Sequence, residues 1–399
     1  MPDPQTIRQL AELIVRFGAN VQPGQVVVIG SEPGKEEMAR AVADVAYREQ
    51  AKFVDLAVFD VHLKRSRILH AAQDTLDYVP PWYGERMRAI GEHRCARIAF
   101  TGPAAPGALE GLDPALVGRD ILPATREGME LLNARSTNWT AAPCPTSAWA
   151  KIVYPSLDAE EALELLWRQV AHVCRLDEPD PAAAWTARLD ALEASAAKLT
   201  ERRFDALHFE GPGTDLKIGL LPGSHWHGAR LSTAEGIVHV PNIPTEEVFT
   251  TPDPARVDGV VRSTKPLFIS GALIEGIRVR FEAGRAVEID ADQGADTLRA
   301  LAARGEGAAR LGEVALVDRE GRIGPLDTVF FDTLLDENAA SHIALGQGFE
   351  FTVDDAYHDA VNSSQIHIDF MIGGDDVAVT GITAAAEAVP VLRNGSWQI

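Results

Sequence analysis

The feature that most restricts this chain's fold is a change of texture at Asp177-Glu178-Pro179-Asp180-Pro181. Two prolines so close together break any regular element, because neither can donate a backbone hydrogen bond. Before this point, short apolar runs alternate with helix-length segments. Gln25–Gly30, Phe53–Asp60 and Ala96–Gly102 read as strands, and Lys35–Gln50 reads as a helix with Met38, Ala41, Val42 and Val45 on one face. Strands separated by helical segments imply βαβ units and a mainly parallel sheet. Leu157–Arg175 and Ala182–Leu199 read as consecutive helices on either side of the breaker. Beyond residue 203, Phe204–Phe209, Asp215–Gly219, Val257–Arg262, Arg278–Phe281 and Ala286–Ile289 are short strands between turns bearing Gly and Asp, with one helix over Asp292–Ala303. A chain of 399 residues also exceeds one comfortable core. The expectation is an α/β domain over residues 1–185 and an α+β domain, rich in antiparallel strands, over residues 186–399.

Charge narrows the partners. With 58 acidic against 37 basic residues the net charge is −21, which opposes a nucleic-acid partner and suits small substrates or carboxylates gathered around cations. Gly30-Ser31-Glu32-Pro33-Gly34 lacks the spacing of a dinucleotide fingerprint. Cys95, Cys144 and Cys174 are odd in number and far apart, so neither a disulfide framework nor a Cys-x-x-Cys metal knuckle is expected. The N-terminal Met1-Pro2-Asp3-Pro4-Gln5 has no basic and apolar leader pattern, and no apolar run reaches the ~18 residues of a membrane span. A cytoplasmic location with no membrane partner is expected.

The chemistry is concentrated in the C-terminal half. In Ile366-His367-Ile368-Asp369-Phe370-Met371-Ile372, the strand period of two projects His367 and Asp369 from the same face. Such a pair in an apolar run costs desolvation energy unless it is hydrogen-bonded or holds a metal. His342 follows Asp336-Glu337-Asn338-Ala339-Ala340-Ser341, where Asp336 reads as the N-cap of a closely packed helix. Glu313 interrupts the apolar strand Leu311-Gly312-Glu313-Val314-Ala315-Leu316, and Glu246-Glu247 precede Val248-Phe249. Imidazole and carboxylate are the ligands that suit zinc, cobalt or manganese in a hydrolase. Trp82, Trp139 and Trp149 read as core aromatics, with cavity or interface roles as the alternative.

Taken together, these strings resemble the aminopeptidase T and aminopeptidase S family of metallopeptidases. The likeness is carried by Pro241-Asn242-Ile243-Pro244-Thr245-Glu246-Glu247-Val248-Phe249-Thr250, Leu311–Val317, Asp336–His342 and His367–Gly373. Asn138-Trp139-Thr140, Gly213–Leu216 and Ser263–Leu267 extend it over nearly the whole chain. It implies a homodimer with two divalent metal ions in its C-terminal domain, removing N-terminal residues from small peptides. The metal ligands carried over are Glu247, Glu313, His342, His367 and Asp369. Glu246 or Glu313 is the implied carboxylate for proton transfer, and the first domain is expected to supply dimer contacts and cavity wall.

One position departs from the family. Seven residues after His342, where the family places a tyrosine, this chain has Phe349, and Tyr357 is the nearest phenol downstream. The departure keeps alternatives open: hydrolysis of another small amide, or a mononuclear iron(II) ring-cleaving dioxygenase. The latter would use His342, His367 and Asp369 as two His and one carboxylate. The dihydroxypyridine ring-cleaving dioxygenases resemble the same fold.

Overall fold

The computed structural model describes residues 3–120, 122–123, 126–269 and 272–399. The chain divides into two compact units, Met1–Arg188 with Arg230–Thr245, and Leu189–Ala229 with Glu246–Ile399.

The first unit is built on a four-stranded parallel sheet of β1 (Val26–Ser31), β2 (Phe53–Val58), β3 (Ala96–Thr101) and β4 (Trp139–Pro143), in the order β2-β1-β3-β4. The helix Glu36–Arg48 buries Met38, Val42 and Val45, as the spacing predicts. Its acidic first turn and basic last turn complement the helix dipole. The breaker becomes a helix start: Pro181 opens the helix Pro181–Arg202, and Asp180 accepts a hydrogen bond from Ala183 N at 3.0 Å. Trp149 is fully buried, as expected of a core aromatic, but Trp82 is 63% exposed and is not one.

The second unit holds an eight-stranded sheet and a separate four-stranded one. The larger sheet contains the strands expected between residues 204 and 289, among them Ala206–Gly211, Thr214–Leu220, Pro252–Arg262 and Arg278–Glu282. The expected helix forms at Ala295–Ala302. The smaller sheet runs, edge to edge, His367–Met371, His342–Gly346, Leu311–Val317 and Glu247–Thr250, antiparallel throughout.

The helix read from Asp336 is corrected by the structure. The helix is Thr333–Glu337, one turn earlier, and Asp332 caps it by accepting from Leu335 N. The Asp336 carboxylate turns back to accept from Phe330 N and Asp332 N. Asn338 ends the helix by donating to Leu334 O while accepting from Glu246 N, and His342 then opens a strand. Pairing with strands on both sides satisfies His342–Gly346, which local helix propensity cannot match.

Candidate metal centre

The four-stranded sheet gathers the suspected ligands because its register and pleat agree. Glu247 pairs with Val317, Glu313 with Ala344, His342 with Ala315 and Met371, and Asp369 with Ala344. Paired residues point to the same face, so Glu247, Glu313, His342, His367 and Asp369 share one side. Ala315 and Ala344 lie between them and leave room. The opposite side carries Val314, Leu316, Ile343, Leu345 and Phe370, all fully buried, which anchors the sheet.

Glu313 reaches this side only through a bulge. Leu311 pairs with Leu345 and Glu313 with Ala344, so Gly312 is the extra residue that switches faces. A Cβ at Gly312 would lie 2.2 Å from the Gln347 carbonyl oxygen, so only glycine permits this approach.

Two triplets result, Glu247–Glu313–His342 and Glu313–His367–Asp369, each with its donor atoms within 4.8 Å of one another. Glu313 belongs to both. The imidazoles are oriented from behind: His342 Nδ1 lies 3.0 Å from Glu337 O, and His367 Nδ1 lies 2.7 Å from Gln347 O. A carbonyl only accepts, so each Nδ1 carries a hydrogen and Nε2 is the nitrogen turned to the cluster, where a cation would take its lone pair in place of a proton. His342 Nε2 is 3.0 Å from Glu247 Oε2, and His367 Nε2 is 3.4 Å from Asp369 Oδ1. Yet both oxygens are buried without a properly directed hydrogen bond. Atoms that crowd without aiming at each other fit a common cation between them, so the donor set suits divalent metal ions.

The electrostatics agree. Burial raises the Glu313 carboxyl, and Asp369 and Glu247 add to that against the pull of His367. Burial alone would lower the two histidines, but the surrounding carboxylates hold both well above their ordinary value. Asp369 is held below its ordinary value, because His367 and His342 outweigh its burial. Glu337, which the sequence reading did not single out, is also part of this group. Burial, together with Asp369 and Glu247, raises its carboxyl well above the usual range. Its signal was the acidic pair Asp336-Glu337 before an apolar stretch, but nothing in the string shows which acid faces inward. Glu246, by contrast, is not brought to either triplet: its carboxylate accepts from Arg322 N at 3.4 Å, against Gly321.

Aromatic rings border the cluster. Phe349 lies with its ring centroid 5.1 Å from that of His367, and Phe249 and Phe351 are 5.8 and 5.4 Å from Phe349. His227 closes the group, edge-on to Phe351 at 5.6 Å. The Tyr357 ring packs against Gly223 and beside Leu221, Val353 and Val361, while Phe349 occupies the place against His367.

A buried sheet face that joins two histidines and three carboxylates, one of them shared between two donor triplets, is the interior of a metallohydrolase. The chain belongs to the thermophilic metalloprotease (M29) family, whose sequence profile matches residues 3–397. Aminopeptidase T from Thermus thermophilus is 42% identical over 404 residues, covering 99% of each chain. Aminopeptidase PepS from Streptococcus thermophilus is 36% identical, covering 99% of this chain and 98% of its own. The solved structure of wild-type AmpT from Thermus thermophilus superposes with a TM-score of 0.90 at 41% identity, covering 99% of both chains.

Proposed function

We propose that the metal-dependent aminopeptidase activity of this chain runs on two divalent cations, zinc, cobalt or manganese, held by Glu247, Glu313, His342, His367 and Asp369. The observation that carries the count is Glu313, common to both donor triplets. Charge supports it: burial and crowding push Glu313 and Glu337 toward their neutral forms, and two divalent cations would let Glu247, Glu313, Glu337 and Asp369 ionise together, four negative charges against four positive. Bound there, the ions would bring a water's pKa toward neutrality and polarise the carbonyl of the first peptide bond. Glu313, or Glu337, which lies outside both triplets but within their field, would take that water's proton and return it to the leaving amine. Glu246 braces the strand that presents Glu247, through its backbone bond to Asn338. The acidic surroundings hold the free α-ammonium of a small peptide substrate, which selects chain ends over internal bonds. The iron(II) ring-cleaving alternative is not favoured, because His342 and His367 fall in different triplets and the family is one of peptidases.

Chelator treatment is expected to abolish hydrolysis of aminoacyl-p-nitroanilides. Titration with cobalt or zinc should restore it, reaching full rate at two ions per chain as measured by metal analysis. Restoration complete at one ion, or only with ferrous iron, would overturn the assignment.

The homodimer is proposed to form through the first unit. Leu56 and Val58 share one face of the edge strand β2, and with Leu63 they are 48%, 58% and 71% exposed, an apolar surface that a monomer rarely leaves open. Sedimentation of the double variant Leu56→Glu, Val58→Glu is expected to show monomers where the parent chain shows dimers. A parent chain that sediments as a monomer would refute the proposal. A cytoplasmic location is proposed from the three free, buried cysteines. Among the described residues, no helix is long and apolar enough to cross a membrane.

A further inference from the structure

The parallel sheet carries a cavity that the metal chemistry does not use. Parallel register puts Asp55, Val28, Arg97 and Trp139 in one row across the four strands, on one face. The next row toward the carboxyl ends is Ala57, Gly30, Ala99 and Ala141, small residues throughout. The helix Pro81–Glu92 covers the start of this face, where Ile90 and Met87 pack on Val28. Over the row of small residues no comparable side chains follow among the described residues, and Ala99 is exposed although its strand is central. The result is a cavity of about 410 Å³, floored by Gly30 and Ala99 and walled by Met87, Arg97 and Trp139. That volume suits one small molecule. It lies between β1 and β3, where the order β2-β1-β3-β4 reverses direction, which is where open parallel sheets of this kind bind ligands.

Arg97 gives the cavity its chemistry. The carboxylate on its own row is taken, since Asp55 is bound by Arg86 at 2.6 Å. Among the described residues, no carboxylate or carbonyl pairs with the Arg97 guanidinium. Burial pushes it below its ordinary value, and no opposing charge offsets that. A half-buried guanidinium without a partner is costly, and its planar fork of donors matches a carboxylate or phosphate two-pronged. Trp139, half-buried beside it in register, offers a flat apolar surface.

We propose that this cavity binds a small anion with a flat apolar body, its carboxylate or phosphate held by Arg97 and its ring lying against Trp139 over the floor of Gly30 and Ala99. A second copy of the chain pressed on this face would have to supply an acid to Arg97, whereas a small anion meets that need by itself.

Benzoate and phenyl phosphate share the flat body and differ in the head group, so both serve as probes in calorimetric titrations of the full-length, metal-loaded enzyme. Saturable binding of at least one probe is expected, weakened about 10-fold or more by Arg97→Met, with peptidase activity retained as the sign of a folded variant. Tighter binding of phenyl phosphate assigns a phosphorylated ligand, and tighter binding of benzoate a carboxylic acid. Should Arg97→Met fail to fold, Arg97→Lys keeps the charge but loses the fork, and is expected to weaken binding by a similar factor. The proposal is overturned by no saturable binding of either probe. Binding undiminished by the Arg97 variants also overturns it and places the anion at the metal cluster. A change of sedimentation in Arg97→Met overturns it too, by making this face an interface between copies.

Discussion

Glu313→Gln is expected to lower kcat/KM about 10³-fold or more, a loss of roughly 4 kcal/mol in transition-state stabilisation. The size follows from its place in both donor triplets, so that one substitution weakens both halves of the cluster. The amide keeps the volume and fits the same bulge at Gly312, so the fold should survive. It has one carbonyl oxygen where the carboxylate had two, and it carries no charge. Metal analysis should therefore show less than two ions per chain retained after gel filtration. Glu246→Gln is the matching control, because that carboxylate faces Arg322 N, and its kcat/KM should change less than about 10-fold. Full metal content and full activity in Glu313→Gln would refute a shared ligand.

Phe349→Tyr is expected to raise kcat about 10²-fold with little change in KM, the signature of a donor that acts only in the transition state. The Phe349 ring sits 5.1 Å from the His367 ring, against the triplet of Glu313, His367 and Asp369. Its immediate neighbours are Phe249, Phe351 and His367, so a phenol in the same rotamer is expected to keep its place beside the cluster. A hydroxyl there would meet the oxyanion that develops on the scissile carbonyl. Steady-state kinetics with one aminoacyl-p-nitroanilide series decides it. An unchanged or lower kcat would mean that this chain's catalysis has no use for the missing hydroxyl. Tyr357 does not compensate in either case, since its ring packs by Gly223 with Leu221 and Val353.

The two halves of the architecture were legible because their signals are local. Alternating apolar runs and helical segments before residue 177 became β1–β4 and their helices, and turn-punctuated runs after 203 became antiparallel strands. His367 and Asp369 were placed on a common face by the pleat alone, and that is where they stand. Asp336 failed for a physical reason. An acid before small residues is a good local cap, but Asp332, four residues earlier, takes that place, and its neighbour Asp336 binds two backbone amides instead. His342 left the helix because a strand position between two partners satisfies its backbone.

Residue types, strand periodicity and family strings were sufficient to name a metallopeptidase and to single out five side chains that the fold gathers into two donor triplets. They could not say how those side chains meet. Counting by two from Leu311 places Glu313 in the apolar core, and only the bulge at Gly312, forced by the approach of the Gln347 carbonyl, turns it to the cluster. By residue type alone Glu246 and Glu247 are equivalent, and in the sequence only the family resemblance chose Glu247. Pairing of Glu247 with Val317 decides which of them faces His342. Arg97 reads in the string as one more charge on a strand, and its lack of a partner emerges only when four parallel strands and one helix fix its surroundings. Local pattern determines elements because backbone geometry repeats every two or 3.6 residues. Register, bulges and burial depend on contacts between distant segments, and those the folded chain alone decides.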